Sequence, residues 1–123
     1  MKLLLILSIV FVFLLIPIQD SFSELDMSTN AQVYSPEHSL QVYGTGLPGE
    51  NLILRLFGPD ESITKFDQIQ TNSDGSFNHQ LLTWPNPSSS IPYGTYVVEV
   101  LSTEQNGLSE KIEIKFSSDK PEP

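Results

Sequence analysis

Two histidines, His38 and His79, and a scatter of carboxylates are the groups through which this 123-residue chain would do chemistry. A zinc or copper site draws three or four ligands, mostly from His and Cys. The chain has no cysteine, so thiolate sites are excluded, blue copper among them. His38 falls in a turn and His79 in a strand pattern, with no paired spacing. Both read as structural or surface residues. Asp60-Glu61, Asp67 and Asp74 carry the hard oxygens that Ca²⁺ takes. The stretch "NSDG" (72–75) is only a fragment of an Asp-rich calcium loop and reads better as a tight turn. No cofactor and no metal are expected.

Nucleophilic catalysis has no visible constellation, with no cysteine and no G-x-S-x-G elbow. Asp and Glu together number 15, enough to form chance pairs, and nothing shows two of them flanking a cleft as glycoside hydrolysis requires. The chain reads as a non-enzyme. Its best candidate site is the loop that starts at "WPNPSSS" (84–90). Trp84, Pro85, Ile91 and Tyr93 form a candidate interaction surface there, because exposed Trp and Tyr anchor protein partners or stack on sugar rings. The competing expectation for Trp84 is a lid over one end of the core.

These residues must be carried by strands. After residue 24 no stretch keeps apolar residues at a helical period. Short alternating runs recur between Gly, Pro, Asn, Asp and Ser, the spacing of an all-β sandwich or barrel. Strands are predicted over 31–34, 39–46, 51–57, 62–70, 76–82, 93–101 and 108–116, about seven in all. "NLILRLF" (51–57) is the most apolar and reads as central. "SITKFDQIQ" (62–70) alternates poorly and reads as an edge or crossing strand, whose open side could pair with a partner. Asn106-Gly107 is a hairpin signal. In "YGTYVVEV", Tyr96 stands near the start of the sixth strand. That is the place of a tyrosine corner, in which the phenol bonds back to the main chain a few residues upstream. Tyr96, Val98 and Val100 are expected to face the core, and Glu99 the solvent.

The first 23 residues read as a secretory signal peptide. Met1-Lys2 is a positive start, Leu3 to Ile16 is almost unbroken apolar sequence, and "SFS" (21–23) suits cleavage after Ser23. The apolar run is shorter than the roughly 20 residues that span a bilayer. A retained anchor is the alternative, and membrane contact is expected through this segment alone. Residues 24–30 read as a polar leader, 31–116 as the sandwich, and 117–123 as a disordered tail. The formal net charge of −9 disfavours nucleic acid as a partner. Without disulfides, packing alone must hold an exported domain of this size together.

"VYSPEHSLQVYGTG", "LFGPD", "TNSDGSF" and "YGTYVVEV" together resemble the MG2-type domain of the macroglobulin family and related immunoglobulin-like modules of prokaryotic surface proteins. The resemblance covers roughly residues 32–101. In that pattern a Gly follows the Pro of the first turn, whereas here Glu37 follows Pro36. The resemblance implies an immunoglobulin-like antiparallel sandwich without catalysis. The expected function is a secreted or cell-envelope module for protein–protein interaction or surface assembly, with a protein partner in the envelope. The alternative is a small carbohydrate-binding module that uses Trp84 and Tyr93, and with them Tyr43, on a polysaccharide.

Overall fold

In the computed structural model, which describes residues 25–118, alternating burial builds eight strands and no helix. They are β1 (Asp26–Thr29), β2 (Val33–Tyr34), β3 (Ser39–Thr45), β4 (Asn51–Phe57), β5 (Ile63–Gln70), β6 (Ser76–Thr83), β7 (Gly94–Ser102) and β8 (Ser109–Phe116). Residues 1–24, which include the expected signal peptide, and residues 119–123 of the expected tail lie outside the described residues. One sheet has the order β1-β3-β6 and the other β2-β8-β7-β4-β5. The opening of the chain thus serves both sheets, β1 in the first and β2 in the second. This is an immunoglobulin-like sandwich.

Each strand turns one face inward because its apolar residues repeat every second position. Leu40 and Val42 of β3 and Phe77 and Leu81 of β6 are buried, as are Leu52, Leu54 and Leu56 of β4. Tyr96, Val98 and Val100 of β7 and Ile114 and Phe116 of β8 complete the core. At the β5–β6 turn Gly75 takes φ +88°, and a Cβ there would stand 2.5 Å from the carbonyl oxygen of Gly46. A left-handed conformation and a close backbone approach both require glycine at this position.

Three expectations need correction. Residues 26–29 are not a polar leader but strand β1, which pairs antiparallel with β3. Leu25 and Met27 are each only 9% exposed, and Asp26 Oδ1 accepts the amide of Thr45 at 2.8 Å. The first expected strand, 31–34, shortens to Val33–Tyr34. It pairs with β8 in parallel, so the sandwich is not wholly antiparallel. Glu99 points to the outer face as alternation demands, yet it is 5% exposed rather than solvated. Arg55 lies over it, with Nε 2.6 Å from Oε1, and Lys111 Nζ stands 3.8 Å from Oε2. Long cationic stems cover a neighbouring carboxylate this way on an open sheet face.

The departure at Glu37 has a backbone consequence. Glu37 holds φ 77°, a left-handed conformation, and its amide donates to the carbonyl of Trp84 at 2.7 Å. A side chain there costs about 1–2 kcal/mol relative to a right-handed conformation. Glu37→Gly is expected to stabilise the domain by about 0.5–1 kcal/mol, less any gain of entropy in the unfolded chain. Urea denaturation of the variant checks this, and a midpoint lower than wild type would contradict it.

Candidate interaction surface

Tyr96 anchors the loop that precedes β7. Its hydroxyl donates to the carbonyl of Pro92 at 2.6 Å, four residues upstream, which is tyrosine-corner geometry. Burial, and secondly the charge of Asp60, push the phenol above its ordinary value. Tyr96→Phe keeps the ring and loses this bond. The expected cost is on the order of 1 kcal/mol by thermal or urea melting, and a melt identical to wild type would contradict it.

Behind this corner the aromatic side chains form one cluster. The Trp84 ring lies 4.4 Å from Phe116 in a stacked arrangement, 5.0 Å from Tyr96 edge-on and 5.8 Å from Tyr34. Trp84 is 1% exposed, so it has no ring face to offer a sugar or a partner. It lids one end of the core. Of the other loop residues, Pro85 is exposed, Ile91 half-buried, and Tyr93 40% exposed with its ring against Phe116 at 4.8 Å. Tyr43, 42% exposed, stands on β3 in the other sheet.

The fold brings this loop beside the start of β5. A groove of about 370 Å³ has Ser62, Ile63 and Thr64 on one wall and Ser89, Ser90 and Ile91 on the other. Asp60, exposed, also lines it, and its Oδ1 accepts the hydroxyl of Ser62 at 2.7 Å and its amide at 3.1 Å. These two bonds hold the Asp60 carboxyl below the usual aspartate range. Two surfaces that are far apart in sequence therefore meet at one end of the sandwich.

From the groove the surface continues along β5, which is the last strand of its sheet. Ile63 is 52% and Phe66 54% exposed, the two most exposed large apolar side chains among the described residues. Beside them on β4 lies Phe57, with the Arg55 guanidinium 5.3 Å from its ring centre. Phe57 and Val97 also line a shallow depression of about 270 Å³. An unpaired edge flanked by apolar groups offers main-chain bonds and side-chain anchoring to a further strand.

The chemistry considered at the outset is dispersed by the fold. His38 bonds Ser35 in its own turn, while His79 Nε2 pairs with Asp67 Oδ2 at 2.8 Å across the two sheets. Asp74 accepts Ser76 within the β5–β6 turn. Among the described residues no three His, Asp or Glu side chains group to hold a metal ion. A buried carboxyl that sequence reasoning missed belongs to Glu50, 1% exposed. Its Oε2 accepts the amide of Leu47 at 2.7 Å and Gln105 Nε2 at 3.1 Å, and its Oε1 accepts the hydroxyl of Ser102. It clamps the β3–β4 and β7–β8 turns together. Its only advance signal was a lone acid between a turn and the most apolar strand.

No family model and no curated protein matches the chain. Among solved structures, the tetra-tandem repeat in the extending region of a large adhesion protein superposes with a TM-score of 0.60 at 20% identity. That match covers 79% of this chain and 25% of the other, so the chain spans a quarter of that structure. A carbohydrate acetylesterase from Xanthomonas citri matches with a TM-score of 0.45 at 16% identity, over 68% of this chain and 15% of the other. The likeness to the adhesion repeat is one of fold, a β-sandwich module; the second is too distant to carry an argument.

Proposed function

We propose that this chain is a non-catalytic β-sandwich module, exported to the cell envelope, that acts through protein–protein contact in a surface assembly. The observation that carries the reading is the open β5 edge with Ile63 and Phe66 exposed along it. The groove beside the 85–93 loop extends the same surface. The fold shared with a repeat of an adhesion protein supports it, and export rests on the composition of residues 1–23. An MG2-type relationship is the finer form of the reading, supported by the turn and strand motifs quoted above and by the left-handed backbone of Glu37 at the family's glycine position. Burial of Trp84 removes the principal sugar-stacking candidate.

Site-specific photocrosslinking on intact source cells tests the proposal. A photoreactive residue replaces Gln68 on the β5 edge, and a control replaces exposed Glu113 on β8. One dominant protein adduct at Gln68 and none at Glu113 is the expected result. Adducts at neither position, with the chain free in the medium or released by polysaccharide-degrading enzymes, would overturn it. N-terminal sequencing of the recovered chain should begin at Glu24; a chain retaining Met1 would replace secretion by an anchor.

A further inference from the structure

We propose that the β5 edge pairs with the β5 edge of a second copy of this chain, antiparallel about a two-fold axis through Phe66, joining two five-stranded sheets into one. The inference rests on the interaction reading above and names the partner of that same surface.

The backbone groups that face the open edge follow from the ladder inside the sheet. The Thr71 amide donates to the Glu50 carbonyl at 2.8 Å, so these two residues head the β4–β5 ladder as a hydrogen-bonded pair. Bonded and non-bonded pairs alternate in an antiparallel ladder. Ile69, Asp67 and Lys65, opposite Leu52, Leu54 and Leu56, therefore turn their N–H and C=O toward β4. Phe66, Gln68 and Gln70 turn theirs to the open side. The register shift between Leu56 and Phe57 leaves Thr64 unmatched and ends the regular ladder there.

The side chains around Phe66 are self-complementary when the strand meets itself antiparallel. With Phe66 on the axis, its ring faces Phe66 of the second copy, and both rings are already exposed. Lys65 then stands opposite Asp67 of the second copy, and this happens twice by symmetry. Lys65 has no ion pair within its own chain among the described residues. His79 engages Asp67 through Oδ2, which leaves Oδ1 for the incoming ammonium. Moving the axis one residue in one direction puts Lys65 against Lys65; one residue in the other puts Asp67 against Asp67. Like charges directly opposite are unfavourable, and opposite charges and aromatic pairs favourable, in cross-strand positions. The charges therefore select this register, while the main-chain ladder and the Phe66 pair supply attraction. A C₂ contact of this kind closes on itself and stops at two copies.

Sedimentation equilibrium of the full chain, as processed by the cells that make it, tests this at about 0.15 M salt, where screening limits repulsion between two acidic copies. Wild type is expected to dimerise reversibly. Lys65→Glu and Asp67→Lys each turn two attractive pairs into repulsive ones, and each is expected to self-associate about thirty-fold more weakly. Mixing the two variants restores both opposite-charge pairs and should give a one-to-one heterodimer. The double variant Lys65→Asp/Asp67→Lys should regain the homodimer, which keeps the test open if Asp67→Lys alone fails to fold. A wild type that stays monomeric up to millimolar concentration, or a dimer indifferent to both single changes, would overturn the inference. In the monomeric case, a Gln68 adduct to a different protein would leave the interaction reading standing. No adduct at Gln68 would overturn both.

Discussion

Trp84→Ala is expected to destabilise the domain by about 3–5 kcal/mol, the range for emptying a buried aromatic site. Trp84 is 1% exposed and touches Tyr34, Tyr96 and Phe116, so neighbouring rings cannot close the space without leaving their own positions. A domain of this size has a total stability of about 5–15 kcal/mol, so the loss is a large share. It also loosens the attachment of the 85–93 loop, one wall of the groove. Trp84→Phe should cost far less, under about 1.5 kcal/mol. The indole Nε1 is buried and finds no acceptor among the described residues, so its removal relieves part of the loss of volume. Urea denaturation followed by circular dichroism separates the two variants. If Trp84→Ala cost less than about 1 kcal/mol, the residue would not be a core lid, and a sugar-stacking role would return.

The second large effect concerns Glu50. Replacing it by Ala leaves the part-buried Leu47 amide and the buried Ser102 hydroxyl without their acceptor, and removes an acceptor of the Gln105 amide. Ser102 is 1% and Thr71 4% exposed, so water does not readily replace the carboxyl. Each orphaned buried group costs about 1–3 kcal/mol, and a loss on the order of 3 kcal/mol is expected in total. Glu50→Gln retains an acceptor for Leu47, and the Ser102 hydroxyl can rotate to accept from the new amide. It should cost about 1 kcal/mol. A double-mutant cycle with Ser102→Ala should show strong coupling, because the two share one bond. Additive effects of Glu50→Ala and Ser102→Ala would mean that the clamp does not exist in solution.

Both variants act on the ends of the sandwich, whereas the interaction surface runs along its side. Phe66, Gln68 and Lys65 take no part in either cluster. Substitutions at those positions should leave the melt near wild type while changing association. That separation allows function to be tested without unfolding the protein.

Much of the architecture was legible in the chain itself, because alternation at period two is a local property. Leu52, Leu54 and Leu56 announce both a strand and its buried face. The weak alternation of 62–70 announces an edge, since a strand with one neighbour buries less. Tyr96 could be placed at a corner from a Pro, a Gly and the run of β-branched residues after it. Strand β1 was not legible. It has four residues and one inward apolar side chain, Met27, and its order comes from pairing with β3.

What tertiary structure alone decided was depth and juxtaposition. A Trp beside two prolines has the same local pattern whether its ring faces water or Phe116. Glu50 and Glu99 look like surface acids until Ser102, Gln105 and Arg55 arrive from strands and turns about 44 to 55 residues away. Lys111 lies on the neighbouring strand, close to Glu99 in sequence but brought opposite it only by the β7–β8 hairpin. The groove between Ile63 and Ile91 exists because two sheets pack face to face and bring their end loops together. Local sequence determines which way a residue points along its own strand. Which residues stand beyond it, and whether water can reach between them, depends on contacts made across the sandwich.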